Sequence, residues 1–195
     1  MTFIKTIPEE QAQGLLLEQY QAAQKSTGYV PNYVKALSLR PEVYEAWTKL
    51  IGSIRSKMRL RRYELVTLAA AMALDCNYCM LAHGTTLNKN FFSPQELTAI
   101  VEDFRNAGLP PDEVALMAFA QKVALRAQEI SEQDIAELRG HALSDEEILD
   151  VVLACTARSF FSKTLEALGA PPDPVYAELE PGLLQALNLG RPFPA

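Results

Sequence analysis

Apolar residues recur every three or four positions along most of this 195-residue chain, as they do on the buried face of an α-helix. Strict alternation of apolar and polar residues, which would indicate β-strands, is scarce. We therefore expect an all-α fold, a bundle of helices. The pattern and its boundary residues predict helical stretches over 8–25, 41–55, 61–88, 93–108, 111–129, 131–140 and 144–168.

Two of these helices begin with a capping box, in which a serine and a glutamate three residues later bond each other's backbone N–H groups. Ser93 opens one of them, and Pro94 follows at the first helical position, where a missing N–H is harmless. Ser144 opens the other, which ends at Gly169 and the two prolines after it. These signals place the helix boundaries in the second half of the chain.

The length and the apolar content of 49% suffice for one compact core, so we expect a single domain over 1–195. The first helix and the tail from Pro181 are extensions of that domain, and we expect the tail to be extended. The N-terminus has no basic region followed by an apolar run, and no segment approaches the roughly 18 apolar residues of a membrane span. We expect a cytoplasmic protein that is neither secreted nor inserted into a membrane.

The charge balance bears on the partners. The chain has 18 basic and 24 acidic residues and a formal net charge of −6, which argues against nucleic acid and favours small-molecule or protein partners.

The chain has three cysteines, an odd number in a chain without an export signal. A framework of structural disulfides is therefore not expected, and redox or metal use of the thiols is favoured.

Cys76, Cys79 and His83 form a C-x-x-C-x-x-x-H motif within an apolar helical stretch, and Glu64 lies upstream. Two thiols one helical turn apart, followed one turn later by an imidazole, combine a dithiol with a base. In a straight helix over 61–88, Glu64 and Cys76 would lie roughly 18 Å apart, because each residue adds about 1.5 Å. No proton could then pass between Glu64 and the dithiol.

A break near Asp75, a residue type that caps helices well, would instead give two antiparallel helices. The second helix would carry the thiols in its first turns, and Glu64 would face His83. The N–H groups at the start of this helix would stabilise a thiolate, and His83 would share a face with Cys79 and accept its proton or pair with it. Cys76 would then be placed to attack an oxidised Cys79, after which an external dithiol would reduce the disulfide.

The arrangement of Glu64, Cys76-Asn77-Tyr78-Cys79 and His83 resembles the alkylhydroperoxidase D family, within the wider carboxymuconolactone decarboxylase-like group. The resemblance extends more weakly over 47–169 and is nearest to the peroxidase-related branch. It implies an all-α fold with a central antiparallel hairpin, assembled as a trimer or hexamer. It also implies a hydroperoxide substrate, reduction by an external dithiol protein or a lipoyl-type donor, and no cofactor or metal.

The resemblance also implies a role for each residue of the site. Cys79 is expected to be attacked by the hydroperoxide, Cys76 to resolve the oxidised product, and Glu64 with His83 to relay protons. The best-studied members have a second histidine between the two cysteines, where this chain has Tyr78. A phenol is not a base near neutral pH, because its unperturbed pKa is about 10. This departure predicts a reduced or altered peroxidase activity.

Three alternatives remain open at this point. Zinc could bind Cys76, Cys79 and His83, with Cys155 or His141 as a fourth ligand. A decarboxylase-like enzyme would make no redox use of the cysteines. In the third alternative the protein is purely structural and the cysteines are buried small apolar residues.

Several other residues are expected to have structural roles. Cys155 is expected to lie in the core, and His141 at a helix C-terminus. Arg158 lies on an apolar helix and must find a carboxylate, such as Glu64, or a subunit interface. The remaining aromatic candidates are expected to pack in the core or to line an entrance for an organic hydroperoxide: Trp47, Phe160 and Phe161.

Overall fold

The structure, a computed structural model, describes residues 2–189, which contain α-helices and short 3-10 turns and no β-strand. The all-α prediction is confirmed. None of the helices in this part of the chain is long and apolar enough to cross a membrane. The helices are α1 (Gly14–Thr27), α2 (Asn32–Ala36), α3 (Pro41–Arg55), α4 (Leu60–Ala73), α5 (Asn77–Asn90), α6 (Pro94–Asp103), α7 (Pro111–Arg126), α8 (Glu132–Gly140), α9 (Asp145–Leu168) and α10 (Pro181–Leu187).

Helices α3, α7, α8 and α9 lie close to their predicted positions, and both predicted capping boxes are present. Helix α1 begins later than predicted, because Glu9–Gln11 form a 3-10 turn and Gln13 is extended. Helix α6 ends earlier than predicted, at Asp103. The short helix α2 was not predicted, since its first backbone N–H, at Asn32, is capped by the distant Asp173 at 2.7 Å.

The predicted extended tail is wrong for its first part, which forms α10. Glu180 caps this helix by accepting a hydrogen bond from the N–H of Leu183 at 2.9 Å. Leu183 and Leu187, one turn apart, are both fully buried, and burying that apolar face stabilises the helix. Residues 190–195, over which the extended tail was also predicted, lie outside the described residues.

Helix α4 lies at the centre of the bundle, packed against α5, α7 and α9. Every residue from Tyr63 to Ala71 is buried, including the polar Glu64 and Thr67. A helix that is buried on all sides needs apolar residues around its whole circumference, which explains the continuous apolar run in the sequence. Each polar side chain on α4 must therefore find a partner inside the bundle.

The predicted break between α4 and α5 is confirmed. Asp75 has a positive φ of 49°, a left-handed conformation that aspartate tolerates better than most residues. The N–H of Cys76 donates to the carbonyl of Ala71 at 3.1 Å, and the N–H of Asp75 donates to Met72 at 3.2 Å. These bonds form a Schellman motif that ends α4. The N-cap of α5 is consequently Cys76 and not Asp75, so the first thiol lies at the helix start.

Helix α10 packs across α5 and α6, where Gly84 of α5 meets Leu187. A β-carbon at position 84 would lie 2.5 and 2.6 Å from the two methyl carbons of Leu187, which is fully buried. The contact therefore depends on a glycine at this point of α5.

We expect Gly84→Ala to destabilise the protein and Gly52→Ala to stabilise it. Gly52 is the matched control, because it also lies within a helix, but a β-carbon added there would meet no atom within 4 Å. Overpacking at Gly84 costs about 1–3 kcal/mol, more than the gain of about 1 kcal/mol that alanine brings to a helix. Urea unfolding measures both variants. An equal stabilisation by the two substitutions would contradict the packing of α10 on α5.

Candidate active site

Both thiols of the C-x-x-C motif are buried at the start of α5. Cys76 is the N-cap and Cys79 is the third helical residue, and their side chains are 0% and 2% exposed. The unpaired N–H groups and the helix dipole at this end favour negative charge. The electrostatic setting predicted for the dithiol is therefore present in the fold.

Ser162 of α9 holds the two sulfurs in different ways. Its hydroxyl donates to Sγ of Cys79 at 3.2 Å, whereas its backbone carbonyl accepts from Sγ of Cys76 at 3.8 Å. Cys79 is thus an acceptor and Cys76 a donor. A sulfur that only accepts is suited to the thiolate form, and a sulfur that donates must retain its proton.

The pKa values of the two thiols move in opposite directions. A hydrogen bond from Cys76, against the opposing effect of burial, lowers the pKa of Cys79 well below its usual range, and the charges of Arg158 and His83 add to this. The pKa of Cys76 is raised, first by its hydrogen bond to Cys79 and then by burial. The hydrogen bond of Ser162 favours the lower pKa of Cys79 and opposes the raised pKa of Cys76.

Glu64 and His83 meet across the α4–α5 hairpin, as the break at Asp75 predicts. Oε2 of Glu64 lies 2.6 Å from Nδ1 of His83, and Thr67 Oγ1 lies 3.2 Å from the same nitrogen. Burial raises the pKa of Glu64, but the charge and hydrogen bond of His83 outweigh it, so the pKa lies below its usual value. Arg55 lies 3.9 Å from the other oxygen, Oε1.

This contact defines the orientation of the imidazole. An ionised carboxylate can only accept, so Nδ1 of His83 carries the proton, and Nε2 is the ring nitrogen left for the cavity. Among the described residues, Ser162 and Arg158 donate hydrogen bonds to Sγ of Cys79, and the Cys76 thiol shares its one proton between that sulfur and the carbonyl of Ser162. His83 forms no hydrogen bond with Cys79 and acts on the sulfur through its charge, and proton transfer between them stays a prediction.

Arg158 of α9 forms the direct contact with Cys79 that was expected of His83. Its Nη1 donates to Sγ of Cys79 at 3.7 Å, and its side chain is 5% exposed. The sequence predicted that this arginine must find a partner, but named a carboxylate or a subunit interface. Its hydrogen-bond partner is the sulfur of Cys79, which no local pattern could indicate, since 79 positions separate the two residues. The charge of Arg158 also acts on Glu64, the carboxylate that the sequence named, and lowers its pKa.

A cavity of about 460 Å³ connects Cys79, Glu64, His83 and Arg158 with the surface. Trp47 and Phe161 stack in its wall with ring centroids 3.8 Å apart. Both therefore line an entrance, as the sequence suggested, whereas Phe160 is 48% exposed and packs in no core. The other aromatic residues of the wall are Tyr29, Tyr33, Tyr63, Tyr78 and Tyr176.

Tyr78, between the two cysteines, has its hydroxyl turned to Asp173 and not to His83. The hydroxyl donates to Oδ2 of Asp173 in a short hydrogen bond and accepts from the N–H of Tyr33 at 3.2 Å. Burial, followed by the nearby charge of Asp173, raises the pKa of Tyr78. Tyr78 therefore holds the 170–176 segment against α5 and does not replace a relay histidine. Asp173 and Ser162 were not identified from the sequence.

We expect Tyr78→Phe to lower the free energy of unfolding by about 1–3 kcal/mol, since buried Asp173 loses a donor. The rate of thiol oxidation per folded molecule should change little, because the phenyl ring keeps its place. Tyr20→Phe is the matched control: Tyr20 is also buried, but its hydroxyl donates to the neutral carbonyl of Ile7 at 2.7 Å. Chemical unfolding and thiol titration measure the two effects. A large loss of rate at unchanged stability would show that Tyr78 takes part in the proton relay.

The remaining candidates lie apart from this site. Cys155 is fully buried in the core, where burial raises its pKa to about 12. His141 is the C-cap residue of α8 and does not line the cavity. Within residues 2–189, no three histidine, cysteine or acidic side chains are grouped to hold a metal ion, so the geometry of the zinc alternative is not formed.

Comparisons with known proteins were made for the sequence and for the fold. Residues 41–103 match the model of the carboxymuconolactone decarboxylase family. This segment includes Glu64, both cysteines of the motif and His83. No curated protein matches the chain in sequence.

Solved structures share the fold over most of the chain. An uncharacterised peroxidase-related protein with an alkylhydroperoxidase core, from Ralstonia eutropha JMP134, has a TM-score of 0.82 at 22% identity, covering 90% of this chain and 94% of that one. A peroxidase-related protein from Silicibacter sp. TM1040 has a TM-score of 0.77 at 24% identity, with 90% and 91% covered. The debrominase Bmp8, in a variant complexed with 2,3,4-tribromopyrrole, has a TM-score of 0.76 at 14% identity, with 96% and 98% covered.

Proposed function

We propose that this chain, of which residues 41–103 match the model of the carboxymuconolactone decarboxylase family, is a thiol-dependent hydroperoxide reductase. The observation that carries the proposal is the asymmetry of the dithiol. Sγ of Cys79 accepts hydrogen bonds from Ser162 and Arg158, while Sγ of Cys76 donates one to the backbone of Ser162. One sulfur is thereby prepared as a nucleophile and the other as a resolving thiol.

In the first step, the Cys79 thiolate attacks the terminal oxygen of the hydroperoxide. An S–O bond forms as the O–O bond breaks, so the sulfur is oxidised to a sulfenic acid and the peroxide is reduced to an alkoxide. His83, paired with Glu64 at 2.6 Å, supplies the proton that converts the alkoxide into an alcohol. The cavity admits the substrate to Cys79, whereas Cys76 does not line it.

In the second step, Cys76 attacks the sulfur of the sulfenic acid. An S–S bond forms and the S–O bond breaks, and the departing hydroxide takes the proton of the Cys76 thiol and leaves as water. The two sulfurs start one helical turn apart, and a turn at a helix start is the part of a helix that distorts most easily. The products are an intramolecular disulfide, an alcohol and water.

The disulfide must then be reduced by an external dithiol, either a protein or a lipoyl-type donor. Both sulfurs are buried, and Cys79 is reached through the cavity, so the reductant must pass a thiol into that cavity.

We also propose a homo-oligomer. In support, α9 exposes Leu149, Leu153 and Phe160 at intervals of four and seven residues, which places them along one face.

The experiment that tests this function is turnover with an organic hydroperoxide. Purified protein is given cumene hydroperoxide and an excess of dihydrolipoamide, and peroxide loss and lipoamide formation are followed together. Equal amounts of peroxide lost and lipoamide formed, catalytic in protein, are expected. The decarboxylase alternative uses no thiol chemistry, so an enzyme of that class would consume neither reagent.

A second candidate is reductive dehalogenation of an aromatic substrate. It is favoured by the similarity to the debrominase fold and by the aromatic wall of the cavity, in which Trp47 and Phe161 could stack on a planar ring. The dithiol supplies the required two electrons: one aryl bromide and two thiols yield the arene, a disulfide and hydrogen bromide. Bromide release from 2,3,4-tribromopyrrole, measured beside peroxide loss, distinguishes the two reactions.

A further inference from the structure

We propose that Arg158 is a further catalytic residue, which holds Cys79 as a thiolate through one guanidinium N–H. A thiolate held by arginine is a property of the resting protein, so it can be measured without any peroxide. The part that Arg158 plays in the reaction rests on the proposed function.

The position of Arg158 is fixed by its neighbours. Its guanidinium carbon lies 5.9 Å from the ring centre of Trp47 and 5.8 Å from that of Phe161, the stacked pair in the cavity wall. It also interacts with Tyr63 of α4. The guanidinium lies beside this stacked pair and contacts both rings, which restricts its orientation.

The charges around Cys79 make the sulfur the counter-ion of Arg158. Glu64, the carboxylate on α4, directs one oxygen to His83 and lies 3.9 Å from Arg55 with the other. The charge of Arg158 acts on Glu64 as well, but its hydrogen bond goes to Cys79. Cys76 and His83 face the sulfur from α5, Ser162 and Arg158 face it from α9, and Tyr63 lies on α4. A buried guanidinium requires a negative partner, and the hydrogen bond from Nη1 of Arg158 to Sγ of Cys79 supplies one when that sulfur is ionised.

The side chain of Arg158 lines the cavity beside Cys79, so the sulfur that it holds is open to a ligand in the cavity. Because hydrogen bonds to charged groups are stronger than neutral ones, the contact from Nη1 is strongest when this sulfur is a thiolate.

This arrangement explains how the reaction proceeds without a histidine between the cysteines. The Cys79 proton need not be removed during each cycle, because Arg158 keeps the sulfur ionised. As the S–O bond forms and the O–O bond breaks, negative charge moves from sulfur to the departing oxygen. His83, whose Nδ1 is bonded to Glu64, then acts as the acid that protonates the alkoxide.

The test is the pH titration of the Cys79 thiolate in the fully reduced protein. Ultraviolet absorbance and the rate of iodoacetamide alkylation are recorded, and Cys79 is identified as the alkylated residue by peptide mass. Wild type should titrate below the ordinary thiol midpoint of about 8.5. Arg158→Met should raise the midpoint by about 1–3 pH units, the usual effect of one close opposite charge.

Arg158→Lys keeps the positive charge, so its thiolate midpoint should stay closer to that of wild type than the midpoint of Arg158→Met does. Arg55→Met is the matched control for charge, because Arg55 lines the same cavity but is half exposed. Water screens its charge, so a smaller shift of the midpoint is expected.

Two results would overturn the inference. A wild-type midpoint at the ordinary thiol value would do so without any variant, and so would an unchanged midpoint in folded Arg158→Met. If wild type has a low midpoint that depends on Arg158 but loses no thiol with peroxide, the thiolate partner stands and the proposed peroxidase function fails.

Discussion

Cys79→Ser should abolish the loss of free thiols that an organic hydroperoxide causes in the wild-type protein. Reduced wild type has three free thiols and should fall to one after one equivalent of cumene hydroperoxide, because Cys76 and Cys79 form a disulfide. In Cys79→Ser both remaining thiols should persist. The rate should fall by at least about 10³-fold, as it does when a covalent nucleophile is removed.

Two matched variants make this measurement specific. Cys76→Ser should still lose the Cys79 thiol, now as a sulfenic acid that dimedone traps, because attack by peroxide precedes resolution. Cys155→Ala should behave as wild type, with both of its thiols lost, because burial raises the pKa of Cys155 to about 12 and removes it from the chemistry. Thiol loss that survived in Cys79→Ser would assign the nucleophile to another sulfur.

Replacement of His83 by asparagine should slow peroxide reduction by about 10²–10⁴-fold, the usual contribution of a general acid. Glu64→Gln should have a smaller effect, since glutamine can still accept the hydrogen bond from Nδ1 but no longer stabilises a charged imidazole. The double variant should be no slower than His83→Asn, because the two residues act as one unit. Stopped-flow measurement of thiol oxidation gives all three rates.

Glu113→Gln is the control for this series. Glu113 also forms a carboxylate ion pair, 2.6 Å from Arg61, but it does not line the cavity, so the rate of thiol oxidation should not change. If Glu64→Gln also oxidised at the wild-type rate, the relay role of the Glu64–His83 pair would be refuted.

Acid unfolding provides an independent check on the Glu64–His83 pair. The folded-state pKa of Glu64 lies below the unfolded value, so the pair contributes stability that is complete above the unfolded value of about 4.3. This contribution is lost as the pH falls through the folded-state pKa. Glu64→Gln removes this contribution. Below about pH 4.3, the unfolding free energy of Glu64→Gln should therefore depend less on pH than the unfolding free energy of wild type does.

The local rules of helix formation account for most of the fold that could be predicted. The capping boxes at Ser93 and Ser144, the stop at Gly169 and the break at Asp75 all depend on bonds between residues three to five positions apart. The pairing of Glu64 with His83 follows from the break, since the two helices of a hairpin must face each other. These features could be derived because the interacting groups are close in sequence.

The same reasoning failed where a helix depends on a distant residue. Asp173 caps the unpredicted helix α2 and binds Tyr78. The tail that was predicted to be extended begins with the helix α10, which packs against Gly84. No periodic pattern in the sequence indicates such contacts, because each contact joins segments that are remote along the chain. Tyr78, which by sequence could belong to a relay, proves to be a structural hydrogen-bond donor for that reason.

The sequence by itself determined an all-α chain with a dithiol at a helix start, and an acid placed opposite the histidine of the same motif. The tertiary structure decided how the two sulfurs differ. Ser162 and Arg158, on the distant helix α9, donate to Cys79, while the backbone of Ser162 accepts from Cys76. The ionisation of a thiol depends on the donors and charges that surround it in space, and only packing of α9 against α5 brings those groups to the sulfur.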